Sequence, residues 1–243
     1  MNRFDGSRVF LTGAGSGIGR AVAARLAAEG ANVVGVDLST DTIETEAKMV
    51  CDVTDAAAVE STLEVAVGLL EGLDIVCNIA GIGHFRNSHE ETPEAFAKIV
   101  DVNLNGTFHV CRYALPYLLA NGDRGGSIVN TASTAGLIGQ PWSAAYCASK
   151  GGVVMLTKAL AYEYRGRNIR VNAIAPGGVN TAIQGSFAES FPPDADFKMV
   201  HKIMSPMGMT EPEEMAAVFA FVASDEARYM TGAIVSVDGG ITA

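Results

Sequence analysis

The chain has 243 residues, of which 49% are apolar and 18% charged, and its 17 basic and 27 acidic side chains leave a formal net charge of −10. That length and apolar content suit one domain that buries roughly 70–75% of its unfolded surface, and they argue against disorder. The acidic balance argues against a protein that tracks phosphate backbones, and no apolar run approaches the ~18 residues of a membrane span.

In chain order, β-branched runs at 8–12, 32–37, 48–51, 74–77, 127–131, 170–175 and 233–237 predict seven strands. Most of these runs are continuous rather than alternating, as expected of parallel strands covered on both faces. Helical patterns fall between them at 17–29, 56–71, 93–102, 106–120, 143–164 and 212–224. In the second of these, Val59, Leu63, Ala66, Val67 and Leu70 make one apolar stripe. Repeated strand–helix–strand order with right-handed crossovers predicts a doubly wound α/β parallel sheet of about seven strands, Rossmann-like, within one domain spanning 1–243. Ligands of such sheets bind beyond the carboxyl ends of the strands, so chemistry is sought just after each one.

The first strand runs into a turn containing Gly13, Ser16, Gly17, Ile18 and Gly19. Its glycines permit a tight turn and close ligand approach, and the helix that follows offers free N–H groups and a positive dipole end to a diphosphate. The spacing is G-x-x-x-G-x-G, which is neither G-x-G-x-x-G nor a P-loop. The second strand ends in Asp37, whose carboxylate suits the two hydroxyls of an adenosine ribose and repels a 2′-phosphate. Leu38 and Ser39 follow it with no cation, so electrostatics favour NAD over NADP. The four cysteines (51, 77, 111, 147) contain no C-x-x-C pair and read as free thiols, and the four histidines (84, 89, 109, 201) contain no metal-binding pair.

Further along, Asn103 places a polar group inside a helical pattern, and Ser133 follows the fifth strand. Tyr146 and Lys150 stand four apart, on one face of the fifth predicted helix. At ~5 Å and an effective dielectric near 20, the lysine charge stabilises a phenolate by roughly 3 kcal/mol, about two pKa units. With the positive charge of an oxidised nicotinamide added, Tyr146 is expected to approach working range as an acid/base.

Together these residues resemble the classical short-chain dehydrogenase/reductase family over essentially the whole chain. The T-G-x-x-x-G-x-G motif stands at 12–19, and the family's adenine-contacting pair is Asp52 and Val53. The family's N-N-A-G strand end is here Asn78, Ile79, Ala80 and Gly81, with Ile79 replacing the second Asn. The resemblance implies a catalytic tetrad of Asn103, Ser133, Tyr146 and Lys150, with Asn103 holding a water that links Lys150 to solvent. It also implies coenzyme contacts from Asn78, Ala80, Gly81, Tyr146, Lys150, Pro176, Gly177, Val179 and Thr181, besides the turn and Asp37–Leu38.

The implied activity is reversible hydride transfer between NAD and a secondary alcohol or ketone. A Met-rich segment at 182–209 is the expected substrate lid, and its composition suggests a hydrophobic small molecule. Leu137, Ile138, Gln140 and Trp142 are further candidates for lining the substrate site. The alternatives are a 3-oxoacyl-thioester reductase using NAD(P)H and a non-catalytic nucleotide-binding protein. A homotetramer is expected from the family. The first six residues hold no apolar signal region, so a cytoplasmic location is expected.

Overall fold

Seven strands form one all-parallel sheet in the computed structural model, which describes residues 2–200 and 203–243. They are β1 (Arg8–Thr12), β2 (Asn32–Asp37), β3 (Ala47–Val50), β4 (Ile75–Asn78), β5 (Gly126–Thr131), β6 (Ile169–Pro176) and β7 (Ile234–Val237), in the spatial order β3-β2-β1-β4-β5-β6-β7. The helices are α1 (Gly17–Ala28), α2 (Ala56–Leu70), α3 (Pro93–Val100), α4 (Gly106–Ala120), α5 (Ala144–Tyr164), α6 (Ala182–Glu189), α7 (Phe197–Val200) and α8 (Pro212–Ala223). The chain winds outward from β1 in one direction through β2 and in the other through β4. The strand ends therefore diverge between β1 and β4 and open a crevice there.

Side chains alternate across the pleat and feed two cores. Val9 and Leu11 of β1, Cys77 of β4 and Val129 of β5 pack with Val22 and Leu26 of α1 and Phe219 and Ala220 of α8. Phe10, Val76 and Ile128 point the other way, toward Leu63 of α2, Val110 and Leu118 of α4 and Leu160 of α5. Burying residues on both faces explains why the strands read as continuous apolar runs. Asp55 caps α2 by accepting from the N–H groups of Ala57 and Ala58, and Thr92 caps α3 by accepting from that of Ala95.

The observed boundaries differ from the predicted ones where pairing decides them. β4 reaches Asn78 because that residue pairs with both Thr12 and Asn130. Two predicted helices, 93–102 and 106–120, form one continuous rod, since a π-helical stretch at Asp101–Asn105 joins α3 to α4. The segment 182–209 holds two helices that its pattern did not announce, α6 and α7; its residues 201 and 202 lie outside the described ones. Among the described residues no helix is long and apolar enough to cross a membrane, and no group of His, Cys, Asp or Glu is arranged to hold a metal ion. Cys51, Cys77 and Cys111 are buried free thiols, and Cys147 is half-buried.

Candidate active site

A cleft of about 1080 Å³ opens over the carboxyl ends of β1, β2, β4, β5 and β6. At its floor the turn after β1 is compact beyond what a side chain allows. A Cβ on Gly19 would lie 1.9 Å from the Gly13 carbonyl oxygen, and one on Gly13 (φ +72) would lie 2.8 Å from the Ala80 nitrogen. The Thr12 hydroxyl accepts from the N–H groups of Ile79 (3.1 Å) and Ala80 (3.2 Å), tying the ends of β1 and β4 together. Ser16 stands at the N-cap of α1 in extended conformation without a side-chain bond to the helix, and the first turn carries no acidic residue. The helix's free N–H groups and positive end therefore meet no countercharge from its own first turn, which suits a bound anion.

Asp37 accepts from the Gly15 N–H at 2.9 Å through Oδ2 and from the Leu38 N–H at 2.7 Å through Oδ1. These bonds fix the carboxylate at the cleft edge with acceptor capacity to spare. Leu38 lies 70% exposed beside it. Asp52 and Val53 line the same end of the cleft, and the Asp52 carboxylate accepts from the Thr54 N–H (2.9 Å) and hydroxyl (2.8 Å). A glycine cradle, an unanswered helix end and an acidic strand terminus fit a dinucleotide. Gly13, Ser16, Gly17, Ile18, Gly19, Ala80, Gly81, Pro176, Gly177, Val179 and Thr181 all line this cleft.

Asn78 does not line it. Its side chain turns into the core, where Nδ2 donates to Asn130 Oδ1 at 2.9 Å, while Asn130 donates to the Thr157 hydroxyl at 2.9 Å. Its carbonyl accepts from the Thr131 hydroxyl at 2.7 Å. Asn103 is also behind the wall and fully buried. Its amide donates to the Ile82 carbonyl (2.9 Å) and the Ser149 hydroxyl (3.0 Å), and its Oδ1 accepts from the Ile82 N–H (2.9 Å). Both ends of that amide are thus committed to holding the chain just after β4.

Ser133, Tyr146 and Lys150 come together at the cleft. Ser133 caps a short 3₁₀ turn at Thr134–Gly136 by accepting from the Ala135 N–H, and its hydroxyl is close enough to Tyr146 to pull that phenol's pKa down. Lys150 is only 3% exposed; its Nζ donates to the Thr131 carbonyl at 2.7 Å and lies 5.8 Å from the centre of the Tyr146 ring.

The electrostatics correct the expectation drawn from spacing. Burial pushes the Tyr146 hydroxyl up to about 12, against the opposing pull of the Ser133 bond. The same burial pushes the Lys150 ammonium down to about 8. Desolvation penalises both charged forms, and the ammonium's hydrogen bond goes to a carbonyl rather than to the phenol, so the protein's own groups do not produce the lowered phenol. Thr131, which receives that bond, carried no signal in the sequence. Nor did Phe85, whose only clue is its place just beyond a strand end. Of the candidates between Ser133 and Tyr146, Gln140 lines the cleft and donates to the Thr134 hydroxyl at 3.0 Å.

A second cavity, of about 700 Å³, lies at the opposite ends of the strands. Its most buried cation, Arg170, is spent on the carbonyls of Val222, Ala223 and Ser224 at the end of α8.

Comparison with known proteins agrees with this geometry. A family model described as enoyl-(acyl carrier protein) reductase matches residues 13–242. A 3-oxoacyl-[acyl-carrier-protein] reductase of Thermotoga maritima is 37% identical over 98% of this chain and 99% of its own. A meso-2,3-butanediol dehydrogenase of Serratia marcescens is 38% identical over 99% of this chain and 96% of its own. The crystal structure of a 3-ketoacyl-(acyl-carrier-protein) reductase from Brucella melitensis complexed with NADH superposes with a TM-score of 0.88 at 35% identity, covering 99% of this chain and 100% of that one.

Proposed function

The chain belongs to the short-chain dehydrogenase/reductase family of oxidoreductases acting on CH–OH groups, and from that premise we propose an NAD-dependent enzyme that interconverts a secondary alcohol and a ketone on a hydrophobic small molecule. The observation that carries this reading is the meeting of Ser133, Tyr146 and Lys150 on one wall of a cleft whose other end is closed by Asp37. In the reading, residues 1–243 act as one catalytic unit with the segment 182–209 as its lid.

A bound nicotinamide coenzyme supplies the hydride acceptor or donor and, when oxidised, a positive charge. Tyr146 takes the proton from the substrate hydroxyl in the oxidative direction and returns it in the reductive one. Ser133 holds the substrate oxygen and steadies its partial charge. Lys150 fixes the ribose of the nicotinamide and offsets charge on the phenolate. The balance is close: two pKa units of burial cost about 2.7 kcal/mol, and a cation at 5–6 Å returns about 3 kcal/mol at an effective dielectric near 20. Asn103 acts from behind the wall, setting the chain around Ile82 and the approach to Lys150.

Asp37 supports NAD, since its fixed carboxylate accepts from ribose hydroxyls and repels a 2′-phosphate. Asp37→Ala is expected to weaken NAD at least ten-fold while changing NADP by less than three-fold, read as KM for each coenzyme. Equal weakening of both would contradict the assignment. We extend the reading to a homotetramer, for which the half-exposed Phe108 of α4 and the exposed Met155 and Tyr162 of α5 offer apolar contact surface, and to a cytoplasmic location.

Reduction of a 3-oxoacyl thioester is the second reading, favoured by the Thermotoga and Brucella relatives. The Brucella enzyme was crystallised with NADH, so coenzyme choice does not separate the two. Cleft chemistry does: among the described residues no arginine lines it, and its lysines are Lys98 and Lys150. A thioester carried on a phosphate-bearing arm finds little there to hold it. Higher kcat/KM for a 3-oxoacyl thioester than for simple ketones would favour the second reading.

A further inference from the structure

Aromatic carbon walls the cleft beside Tyr146. Phe85 comes from the chain after β4, Phe187 from α6 and Phe191 from just beyond α6, and Trp142, in the turn before α5, packs against Phe85 and Phe191. Ring centres lie 4.6 Å apart for Phe85 and Phe187, 5.4 Å for Phe85 and Phe191, 5.1 Å for Trp142 and Phe191, and 6.4 Å for Phe85 and Trp142. Phe187 also meets the Tyr146 ring edge-on at 5.3 Å. Gly83 makes that contact possible, because a Cβ there would lie 2.5 Å from Phe187 Cζ and 3.0 Å from Tyr146 Cδ2.

Two features distinguish this box from ordinary core. Phe85, Trp142 and Phe191 keep part of their surface exposed, whereas the core phenylalanines Phe4, Phe10 and Phe219 are sealed. Trp142 also sits at φ +59, a left-handed conformation that costs a non-glycine residue about 1–3 kcal/mol. The Arg86 N–H donates to the Trp142 carbonyl at 2.7 Å and holds it there, while Phe85 is fixed separately, its N–H donating to the Ser190 hydroxyl at 2.9 Å. Strain maintained around a partly open aromatic wall beside the acid/base residue points to ligand recognition.

We propose that this box selects a carbon ring, so that the preferred substrate is an uncharged secondary alcohol or ketone whose carbinol carbon belongs to a ring; this rests on the alcohol–ketone reading above. A ring offers flat or chair faces to the three phenylalanines that line the cleft, and its internal rotations are already frozen. A linear chain of the same carbon number must lose that freedom on binding. Among the described residues no arginine lines the cleft, so a carboxylate or phosphate on the substrate finds no guanidinium beside Tyr146.

The test compares cyclohexanol with 2-hexanol, which match in carbon number, using NAD and the whole protein. Wild type is expected to favour cyclohexanol at least ten-fold in kcat/KM. Phe191→Leu is expected to cut that preference below three-fold, chiefly through the KM of cyclohexanol. Trp142 is the chain's single tryptophan, so its emission reports on the box without turnover. Tyr146→Phe loaded with NAD is expected to show an emission change at a cyclohexanol concentration at least ten-fold below that needed with 2-hexanol.

Equal use of the two alcohols with equal emission responses would overturn the ring assignment alone. Turnover of neither alcohol with NAD or NADP, alongside a ring-selective emission change, would overturn the alcohol–ketone reading and leave ring recognition standing. Neither turnover nor selective emission would overturn both.

Discussion

Lys150 is expected to affect folding in a way that is separable from catalysis. Its ammonium is 3% exposed, and burial pushes it down to about 8 from the ordinary 10.5 of a lysine. The unfolded chain therefore holds that proton more tightly than the folded one, and stability rises with pH between about 8 and 10.5. Below that window the buried charge costs about 3 kcal/mol, offset in part by about 1 kcal/mol from its bond to the Thr131 carbonyl. Lys150→Met is accordingly expected to unfold at higher urea than wild type at pH 7, by about 2 kcal/mol, while losing activity. The gap should close as the pH is raised toward 10.5. A gap that does not change with pH would mean that the lysine keeps its ordinary affinity for the proton in the folded protein, as a well-solvated ammonium does. Spacing alone revealed that Tyr146 and Lys150 share a helix face; it did not reveal their burial, which decides both pKa shifts.

At the scale of elements, the rod from α3 through the π-helical stretch to α4 places Asn103. A regular α-helix would carry that side chain about 100° around the axis and away from Ile82. Deletion of Val102 is expected to restore a plain helix, leaving far-UV circular dichroism close to wild type and lowering kcat/KM at least ten-fold. Unchanged kcat/KM with intact helicity would show that the position of Asn103 is dispensable. The sequence carried half of this feature. Two helical patterns separated by Asn103, Leu104 and Asn105 mark a break in period, but a break reads equally as a loop. Only the packing of Val110, Cys111, Ala114 and Leu118 into the core requires the rod to continue. The strands were legible because both faces are covered, which leaves no room for polar alternation. Helix α6 was not, because Ile183 and Phe187 line a cleft rather than a single buried stripe, and α7 is only four residues long.

Across the whole molecule, the doubly wound order puts the ends of five strands around one cleft, which is why motifs scattered from Thr12 to Thr181 share a site. The glycine turn, Asp37, Ser133, Tyr146 and Lys150 could be read in advance, since each follows a strand or keeps a fixed helical spacing. The aromatic box could not be assembled in advance. Phe85, Trp142, Phe187 and Phe191 meet only through the tertiary fold, and Phe85 lies in a segment with no periodic signal. Asn78 shows the reverse case: the side chain of a strand-end residue expected at the coenzyme is drawn into a buried amide ladder by its pairing with Asn130.

What unites these scales is the proposal that the Tyr146 hydroxyl exchanges a proton with substrate as hydride passes to or from the coenzyme. The most direct test is to follow absorbance of reduced nicotinamide on mixing cyclohexanol and NAD with wild type and with Tyr146→Phe, after matching NADH affinity by fluorescence. The variant should bind NADH within about three-fold of wild type and oxidise the alcohol at least 100-fold more slowly, within the range of general acid–base catalysis. If Tyr146→Phe oxidises the alcohol at a rate close to wild type, the proton passes through some other group and the mechanism given for this cleft is wrong.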